Sequence, residues 1–253
     1  MSRTFKPDLE LTSRIRDLTL REGADLFGVA SAESLSGAPK GFRPEDILPT
    51  SKVVIVVGKR LSDATVDSTP SRMFDTMYAA VNNFIDILEI KITNALMSEK
   101  KKAIAIGPSS MDGKLAMGDI SMKHAAVAAG LGRFGLQSLV LTPEFGPRQR
   151  WGAVITNAPL KPGSPLEKAL CKPEECGYAC IKSCPVEAFS ERQTEGVEDT
   201  NSLPRGMWYY WNFDKQRCRT HRAKKQEELG WVTGVGHACA ICKKVCPAGT
   251  RNS

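Results

Sequence analysis

Hydrophobic and polar positions alternate with two different periods along this chain of 253 residues, and the change of period predicts both helices and strands. Apolar residues recur every three or four positions in residues 8–22, which predicts a first helix that ends before Gly23. Apolar runs at residues 24–30 and 52–58 predict two buried strands, and a long helix is predicted over residues 71–98. The predicted apolar face of that helix comprises Phe74, Met77, Val81, Phe84, Ile87, Leu88, Ile92 and Leu96.

The pattern then predicts a strand, a helix and two further strands, at residues 102–106, 119–129, 138–142 and 150–156. The last two strands are predicted to pair across the turn PEFGP. This mixture indicates an α/β or α+β domain over residues 1–160. The segment NAPLKPGSPLEK contains three prolines and predicts a linker into a second domain, residues 161–253.

Composition and charge narrow the class of protein. With 42% hydrophobic residues the chain can bury a large core, and no apolar run is long enough to span a membrane. The beginning MSRTFKPDLE has neither an apolar signal core nor a twin-arginine motif, which favours a soluble, cytoplasmic protein. The net charge of +7 is explained most simply by a solvated surface, with an acidic electron donor or nucleic acid as alternatives.

All eight cysteines follow residue 170 and fall mainly in two runs, CKPEECGYACIKSCP and CAICKKVCP. Each run ends in Cys-Pro with three residues before the final Cys, as in bacterial ferredoxins, where that Cys ligates the other cluster. The spacing predicts one [4Fe–4S] set of Cys171, Cys176, Cys180 and Cys246, and a second set of Cys218, Cys239, Cys242 and Cys184. The gaps in the first run are wider than usual, and a [3Fe–4S] form of one cluster stays open.

Zinc and disulfides are the alternatives for these thiols. Structural zinc favours two-residue knuckles in sets of four, but only Cys239 and Cys242 form such a knuckle. Disulfides need an oxidising compartment, which the missing signal sequence does not indicate. The two-cluster interpretation is therefore favoured.

Three glycines, Gly130, Gly132 and Gly135, match the G-x-G-x-x-G pattern of dinucleotide sites. Here the pattern follows a predicted helix and leads into a strand, which reverses the order that a dinucleotide site requires. A glycine-rich turn is favoured instead. Its bare backbone would approach a bulky planar cofactor or another chain segment, or it would simply end the helix.

The sequence from Lys123 to Pro247, which contains KHAAVAAGLGRFGLQSLVLTPEFGPRQRWGAVITNAPL, FDKQRC and HACAICKKVCP, resembles the epoxyqueuosine reductase and reductive dehalogenase superfamily. The resemblance implies a nitroreductase-like domain that binds cobalamin, followed by a ferredoxin-like domain with two [4Fe–4S] clusters. The candidate cofactor-binding residues are Gly130, Leu131, Gly132, Gly135 and Thr142 at the matching positions, together with His124. For His124, an ordinary helix histidine is the alternative.

The resemblance further implies reductive cleavage of a carbon–oxygen or carbon–halogen bond, with a nearby acid as proton donor. Tyr78 is one candidate acid, and its alternative is a core tyrosine. Asp119 and Asp112 lie in the region of the family's acidic donor. His237 is a candidate hydrogen-bond donor to a cluster sulfur, or a turn residue.

Residues 205–225, RGMWYYWNFDKQRCRTHRAKK, join four consecutive aromatic residues to seven basic ones. Packing between the domains is favoured for the aromatics, a partner surface comes second, and nucleic acid is last. The expected partner is a low-potential electron donor of the ferredoxin or flavodoxin type, with a small-molecule substrate or a corrinoid protein as the electron acceptor.

Three functions follow from these features. The first is a corrinoid-dependent oxidoreductase with its own substrate, and the second is an electron-transfer or reductive-activator protein that serves a partner corrinoid enzyme. The third is reduction of epoxyqueuosine in tRNA. It ranks last because epoxyqueuosine reductases continue past their clusters into helical repeats that help engage tRNA, whereas this sequence ends six residues after Pro247.

Overall fold

The computed structural model describes residues 6–110, 113, 117–191, 210–230 and 239–249. The strands in these ranges are β1 (Leu26–Ser31), β2 (Val53–Arg60), β3 (Ala103–Ile106), β4 (Arg133–Phe134), β5 (Val140–Leu141), β6 (Gln149–Thr156), β7 (Phe189–Ser190) and β8 (Asn212–Phe213). The α-helices are α1 (Leu9–Arg21), α2 (Pro44–Ile47), α3 (Asp63–Asp67), α4 (Arg72–Ser98), α5 (Met122–Ala128), α6 (Ala179–Lys182), α7 (Lys215–Glu228) and α8 (Ile241–Lys244). A single 3₁₀ turn spans Glu33–Leu35.

The main sheet has four antiparallel strands in the order β1-β2-β6-β3. Its central strands β2 and β6 are covered on both faces by other parts of the chain, which explains why both appear in the sequence as continuous apolar runs. The predicted strands at residues 24–30, 52–58, 102–106 and 150–156 are confirmed.

The predicted pairing between residues 138–142 and residues 150–156 is wrong. β5 pairs with β4 in a separate two-stranded sheet, whereas β6 pairs with β2 and β3. A strand that is apolar on both faces buries the most apolar surface at the centre of the main sheet, and β6 lies there. The side chain of Gln149 instead links the two sheets, because its Nε2 donates to the Val140 carbonyl at 2.8 Å.

The long helix α4 packs with α1 on one face of the main sheet. It begins at the N-cap Ser71, whose hydroxyl accepts a hydrogen bond from the backbone N–H of Phe74 at 3.1 Å. Its buried apolar residues follow spacings of three and four: Phe74, Tyr78, Val81, Ile85, Leu88, Ile92 and Leu96. Ile87 was predicted on this face but is 56% exposed, because it lies more than a quarter turn around the helix from Leu88.

The short helix α5 covers the opposite face of the sheet. Its residues Ala125, Ala126 and Val127 are fully buried, and their small side chains bring the helix close to the strands. Two core layers therefore enclose the sheet. The predicted helix at residues 119–129 is confirmed, although α5 begins only at Met122.

The cysteine-rich part of the chain packs against this sheet. Residues 157–178 contain no helix or strand, and the N–H of Gly163 donates to the Val29 carbonyl at 2.8 Å. Farther along, the buried Arg148 donates to the carbonyls of Cys246 and Ala248 at 3.3 and 3.1 Å. Within the described ranges, no helix is long and apolar enough to cross a membrane.

Candidate functional site

A cleft opens where β6 begins, between the N-terminal half of α4 and the cysteine-bearing segments. Its first cavity has a volume of about 390 Å³, and its lining includes Tyr78, Lys123 and Arg150. Four cysteines line the same cavity: Cys184, Cys218, Cys239 and Cys242. A phenol, several cations and four thiols therefore line one cavity.

A second cavity of about 690 Å³ adjoins the first. Lys123, Ser138 and Arg150 line both cavities, so the two form one continuous cleft. The second cavity is bordered by the aromatic side chains of Trp151 and Tyr210.

The thiols form two groups, and within each group neighbouring thiols raise one another's pKa. Burial raises the pKa of Cys180 to about 12, and the neighbouring thiols of Cys246, Cys171 and Cys176 add to the rise. The pKa of Cys246 is raised first by burial and then by Cys171 and Cys176. These four cysteines form the first group.

In the second group, burial raises the pKa of Cys242 to about 12, with further increases from Cys239 and Cys218. The pKa of Cys218 is raised first by burial and then by Cys239 and Cys184, and Cys184 also raises that of Cys239. The two groups contain the same residues as the two predicted ligand sets, and the ligation itself stays a prediction. Cys180 also raises the pKa of Cys242, by less than Cys239 and Cys218 do. The two groups therefore lie side by side.

All eight cysteines are free thiols in the structure. Backbone N–H groups point toward several of them: that of Ala188 donates to Cys184 Sγ at 3.3 Å, and that of Ala248 lowers the pKa of Cys246. Among the described residues, no three His, Cys, Asp or Glu side chains converge on a point that would hold a single metal ion.

Tyr78 lies in the second turn of α4 and is 8% exposed. The Arg150 guanidinium lies over its ring, 4.3 Å from the centroid. Two hydrogen bonds also hold this guanidinium in place. Its Nε donates to Asn82 Oδ1 at 2.8 Å, and its Nη2 donates to the Pro108 carbonyl at 2.9 Å. The phenol and the cation are thereby held together between α4 and β6.

Lys123 belongs to α5 and is partly buried. Its Nζ donates to the carbonyl and hydroxyl of Ser138, at 2.7 and 3.2 Å. Desolvation lowers the pKa of Lys123 to about 8, and the positive charges of Lys215 and Arg150 contribute. Sequence reasoning missed Lys123 and Arg150. The available signal was a lysine at the start of a helix that is otherwise alanine-rich and buried.

The other candidate acid and the candidate histidine lie near the second cavity. His124 lines it, with Nδ1 2.6 Å from the Ser121 hydroxyl and its ring 4.9 Å from that of Phe134. Asp119 accepts a hydrogen bond from Ser110, which also lines this cavity. Asp112 and His237 lie outside the described residues.

The glycine-rich turn contacts other chain segments. Gly130 has φ +79° and ends α5, and a Cβ there would lie 2.2 Å from the Ser164 carbonyl oxygen. At Gly132 a Cβ would lie 2.2 Å from the Leu141 carbonyl oxygen. The predicted cofactor-binding residues of this turn do not line either cavity. They are Gly130, Leu131, Gly132, Gly135 and Thr142. Their predicted role at a cofactor stays untested.

The described aromatic residues of the basic segment pack inward. The ring of Tyr210 lies 4.6 Å from that of Phe134, and that of Trp211 lies 6.1 Å from that of Tyr178. The backbone N–H of Trp211 donates to the Leu136 carbonyl at 3.1 Å. Residues 205–209 of the segment lie outside the described residues.

Comparison with known proteins gives relatives of two kinds. A tetrachloroethene reductive dehalogenase of Dehalobacter restrictus is 26% identical over 232 residues, which are 88% of this chain and 36% of that protein. An epoxyqueuosine reductase of Bacillus anthracis is 36% identical over 137 residues, or 51% of this chain and 30% of that protein. A solved reductive dehalogenase described in terms of B12-dependent dehalogenation matches 97% of this chain and 32% of its own, with 17% identity and a TM-score of 0.63. No protein-family model matches.

The fold is thus a mixed α/β fold shared with a solved reductive dehalogenase. The chain is similar to both reductive dehalogenases and epoxyqueuosine reductases, which confirms the resemblance noted in the sequence. It spans about a third of the length of the curated relatives it matches. The predicted division into two domains stays a prediction.

Proposed function

We propose that this chain is the core of a corrinoid-dependent reductase that uses two [4Fe–4S] clusters to cleave a carbon–halogen or carbon–oxygen bond. The observation that supports this best is that Tyr78 and four cysteine thiols line the same cavity. A proton donor and the ligands of a one-electron carrier would then meet at one substrate.

The cysteines fit two clusters. They form two groups of four, and each group combines three thiols from one part of the chain with one from the other. In the proposal, the first group of Cys171, Cys176, Cys180 and Cys246 binds one cluster, and the second group of Cys184, Cys218, Cys239 and Cys242 binds the other. When bound, such clusters supply single electrons at a potential that hydrogen bonds to the sulfurs help to set. The N–H of Ala188 offers a bond of this kind to Cys184.

The cleft also fits a corrinoid. The buried side-chain amide of Gln137, 2% exposed, lines the first cavity, and neither its oxygen nor its nitrogen has a hydrogen-bond partner in the structure. The rim of a corrinoid is rich in amides. These can donate hydrogen bonds to the side-chain oxygen of Gln137 and accept them from its nitrogen. Gln137, His124 and Tyr210 are the residues proposed to hold it. When bound, a corrinoid supplies a low-valent cobalt that is both nucleophile and reductant.

The chain's own residues handle the proton. Reductive cleavage of R–X takes up two electrons and one proton and gives R–H and X⁻. In the proposal, the phenol of Tyr78 donates the proton. The positive charges of Arg150 and Lys123, on the same cavity, stabilise the negative charge that remains on the phenol oxygen.

Metal and cofactor analysis tests the proposal. We would purify the protein anaerobically with added hydroxocobalamin and measure iron, sulfide and cobalt together with electron paramagnetic resonance spectra. About eight irons and one cobalt per chain would support a reductase with its own substrate site. About eight irons without cobalt would favour the second function, an electron-transfer protein for a partner corrinoid enzyme. Zinc in place of iron would contradict both.

A further inference from the structure

The helix α4 carries a second stripe of residues, apart from the face that packs on the sheet. Its positions alternate strictly by three and four residues: Met73, Thr76, Ala80, Asn83, Ile87, Ile90, Asn94 and Met97. All eight residues are exposed, and none carries a charge. Sustained spacing of this kind, which repeats every seven residues, is typical of the seam of a coiled coil.

This outer stripe lies about half a turn around α4 from the centre of its buried face. The neighbouring helix α1 is attached to the flank of α4 by two ion pairs. Lys91 Nζ lies 2.5 Å from Glu22 Oε2, and Arg14 Nη2 lies 2.8 Å from Glu99 Oε1. The helix α1 therefore packs beside α4 and leaves the outer stripe uncovered.

Exposed apolar side chains concentrate on the outer stripe. Within the described ranges six large apolar residues are exposed, and four of the six belong to the stripe, each between 56% and 61% exposed: Met73, Ile87, Ile90 and Met97. The exposed residues of α1, by contrast, include five charged ones: Glu10, Arg14, Arg16, Asp17 and Arg21. A neutral stripe with exposed aliphatic side chains along a helix of 27 residues indicates a surface that binds protein.

A second copy of the chain matches the outer stripe position by position. In a parallel pair of helices in register, each residue of the stripe faces its counterpart in the other copy. Ile87 and Ile90 then pack against isoleucines, and Asn83 and Asn94 meet asparagines, whose amides can both donate and accept hydrogen bonds. In an antiparallel pair that overlaps over the whole stripe, Asn83 would face Ile87 of the other copy, which leaves a buried amide without a partner.

Two residues of opposite charge flank the stripe. Asp86 precedes Ile87 on one side, and Lys91 follows Ile90 on the other. They occupy the g and e positions of the seven-residue repeat, where oppositely charged residues of two parallel helices meet. Lys91 already bonds to Glu22, but an ammonium group has three N–H donors and can also reach an aspartate of the other copy.

We propose that this chain forms a two-fold symmetric dimer in which α4 packs along its length against α4 of a second copy, parallel and in register. The helix is about 40 Å long and about 10 Å wide, so each copy contributes on the order of 400 Å². A standard interface takes about 800 Å² from each partner, and we therefore expect a weak dimer with a dissociation constant of about 10 µM. The interface is separate from the cleft and does not depend on the reaction there.

Sedimentation equilibrium tests the dimer. The protein is prepared anaerobically with its clusters and measured from about 1 to 200 µM, a range that brackets the expected dissociation constant. We expect the average mass to rise from the chain's 27.6 kDa toward twice that value. A monomer over the whole range would overturn the proposal and would leave the outer stripe to a different protein.

Matched variants locate the interface. Ile87→Glu places a carboxylate opposite the same carboxylate in the other copy, and the repulsion should raise the dissociation constant at least about 100-fold. Leu9→Glu is the control, because it adds the same charge at an exposed position of α1 and should leave the dimer intact. Both positions are exposed, so both variants should fold, which their cluster absorption spectra check. Equal losses in the two variants would contradict an interface on α4.

An exchange of charges tests the parallel register. Asp86→Lys puts a second lysine beside Lys91 of the other copy and should weaken the dimer about tenfold. Lys91→Asp alone should weaken it too, whereas the double variant should recover the affinity of the wild type. Both proteins with Lys91→Asp lack the bond to Glu22, so comparing them isolates the contact between the copies. A double variant that dimerises no better than Lys91→Asp would contradict the parallel register.

Discussion

Glu89 provides a test of the packing that holds the site together. It lies on the buried face of α4 and is 1% exposed, and its Oε1 accepts a hydrogen bond from the backbone N–H of Ala153 on β6 at 2.6 Å. Burial raises its pKa from 4.5 to about 9; the Ala153 hydrogen bond opposes the rise, and the nearby charge of Asp86 adds to it. The bond joins the same helix and strand that hold Tyr78 and Arg150 together.

The direction of the pH dependence follows from this pKa. Between pH 4.5 and about 9 the folded chain keeps a proton on Glu89 that the unfolded chain has lost. The stabilisation is complete below pH 4.5 and is lost as the pH rises toward 9. Each pH unit in this window lowers the free energy of unfolding by about 1.4 kcal/mol, so the loss between pH 6 and pH 8 is about 3 kcal/mol.

Glu89→Gln keeps an oxygen acceptor for the Ala153 N–H but cannot ionise. We expect urea unfolding of the wild type to lose about 3 kcal/mol more than this variant between pH 6 and pH 8, with both proteins in the same cofactor state under anaerobic conditions. Glu10→Gln is the control, because Glu10 is exposed on α1 and should leave the wild-type pH dependence intact. Parallel pH dependences of wild type and Glu89→Gln would refute the reasoning.

Three further changes test the site. Cys184→Ser should remove the cluster that also involves Cys218, Cys239 and Cys242, leaving about four irons; loss of the other cluster, identified by its paramagnetic resonance signal, would contradict crossed ligation. Tyr78→Phe should lower kcat by a factor of about 10² or more while cluster reduction is unchanged, and equal losses in the control Tyr178→Phe would exclude a specific proton donor. Gly132→Ala should lower the free energy of unfolding by about 1–3 kcal/mol in a urea titration, because its Cβ would lie 2.2 Å from the Leu141 carbonyl oxygen. An unchanged midpoint would show that the turn can relax.

The parts of the molecule that depend on local sequence were predictable. The strands β2 and β6 are continuous apolar runs, and the period of α4 is regular over 27 residues. The similarity to reductive dehalogenases and epoxyqueuosine reductases was also evident from the sequence, because short motifs around the glycine turn and the cysteines carry it. These features need no knowledge of which distant segments meet.

The missed features depend on tertiary contacts. The pairing of β5 with β4 follows from the place of β6 in the sheet, which the spacing of residues 138–156 does not reveal. Arg150 belongs to the site because β6 directs it toward Tyr78 and Asn82, which both lie on α4, about 70 residues earlier in the chain. No pattern along the chain links an arginine in one strand to a phenol in a distant helix.

The two groups of thiols differ in position, and the difference gives the proposed electron path a direction. Cys184, Cys218, Cys239 and Cys242 line the cavity that contains Tyr78, whereas the other four cysteines line neither cavity. Cys171 and Cys176 are only partly buried, in a loop with the exposed residues Lys172, Glu174 and Glu175. Because the Cys180 thiol raises the pKa of Cys242, the two groups lie close to each other. If each group binds a cluster, the outer one can receive electrons from a donor protein at the surface, and the inner one can deliver them where the proton is available.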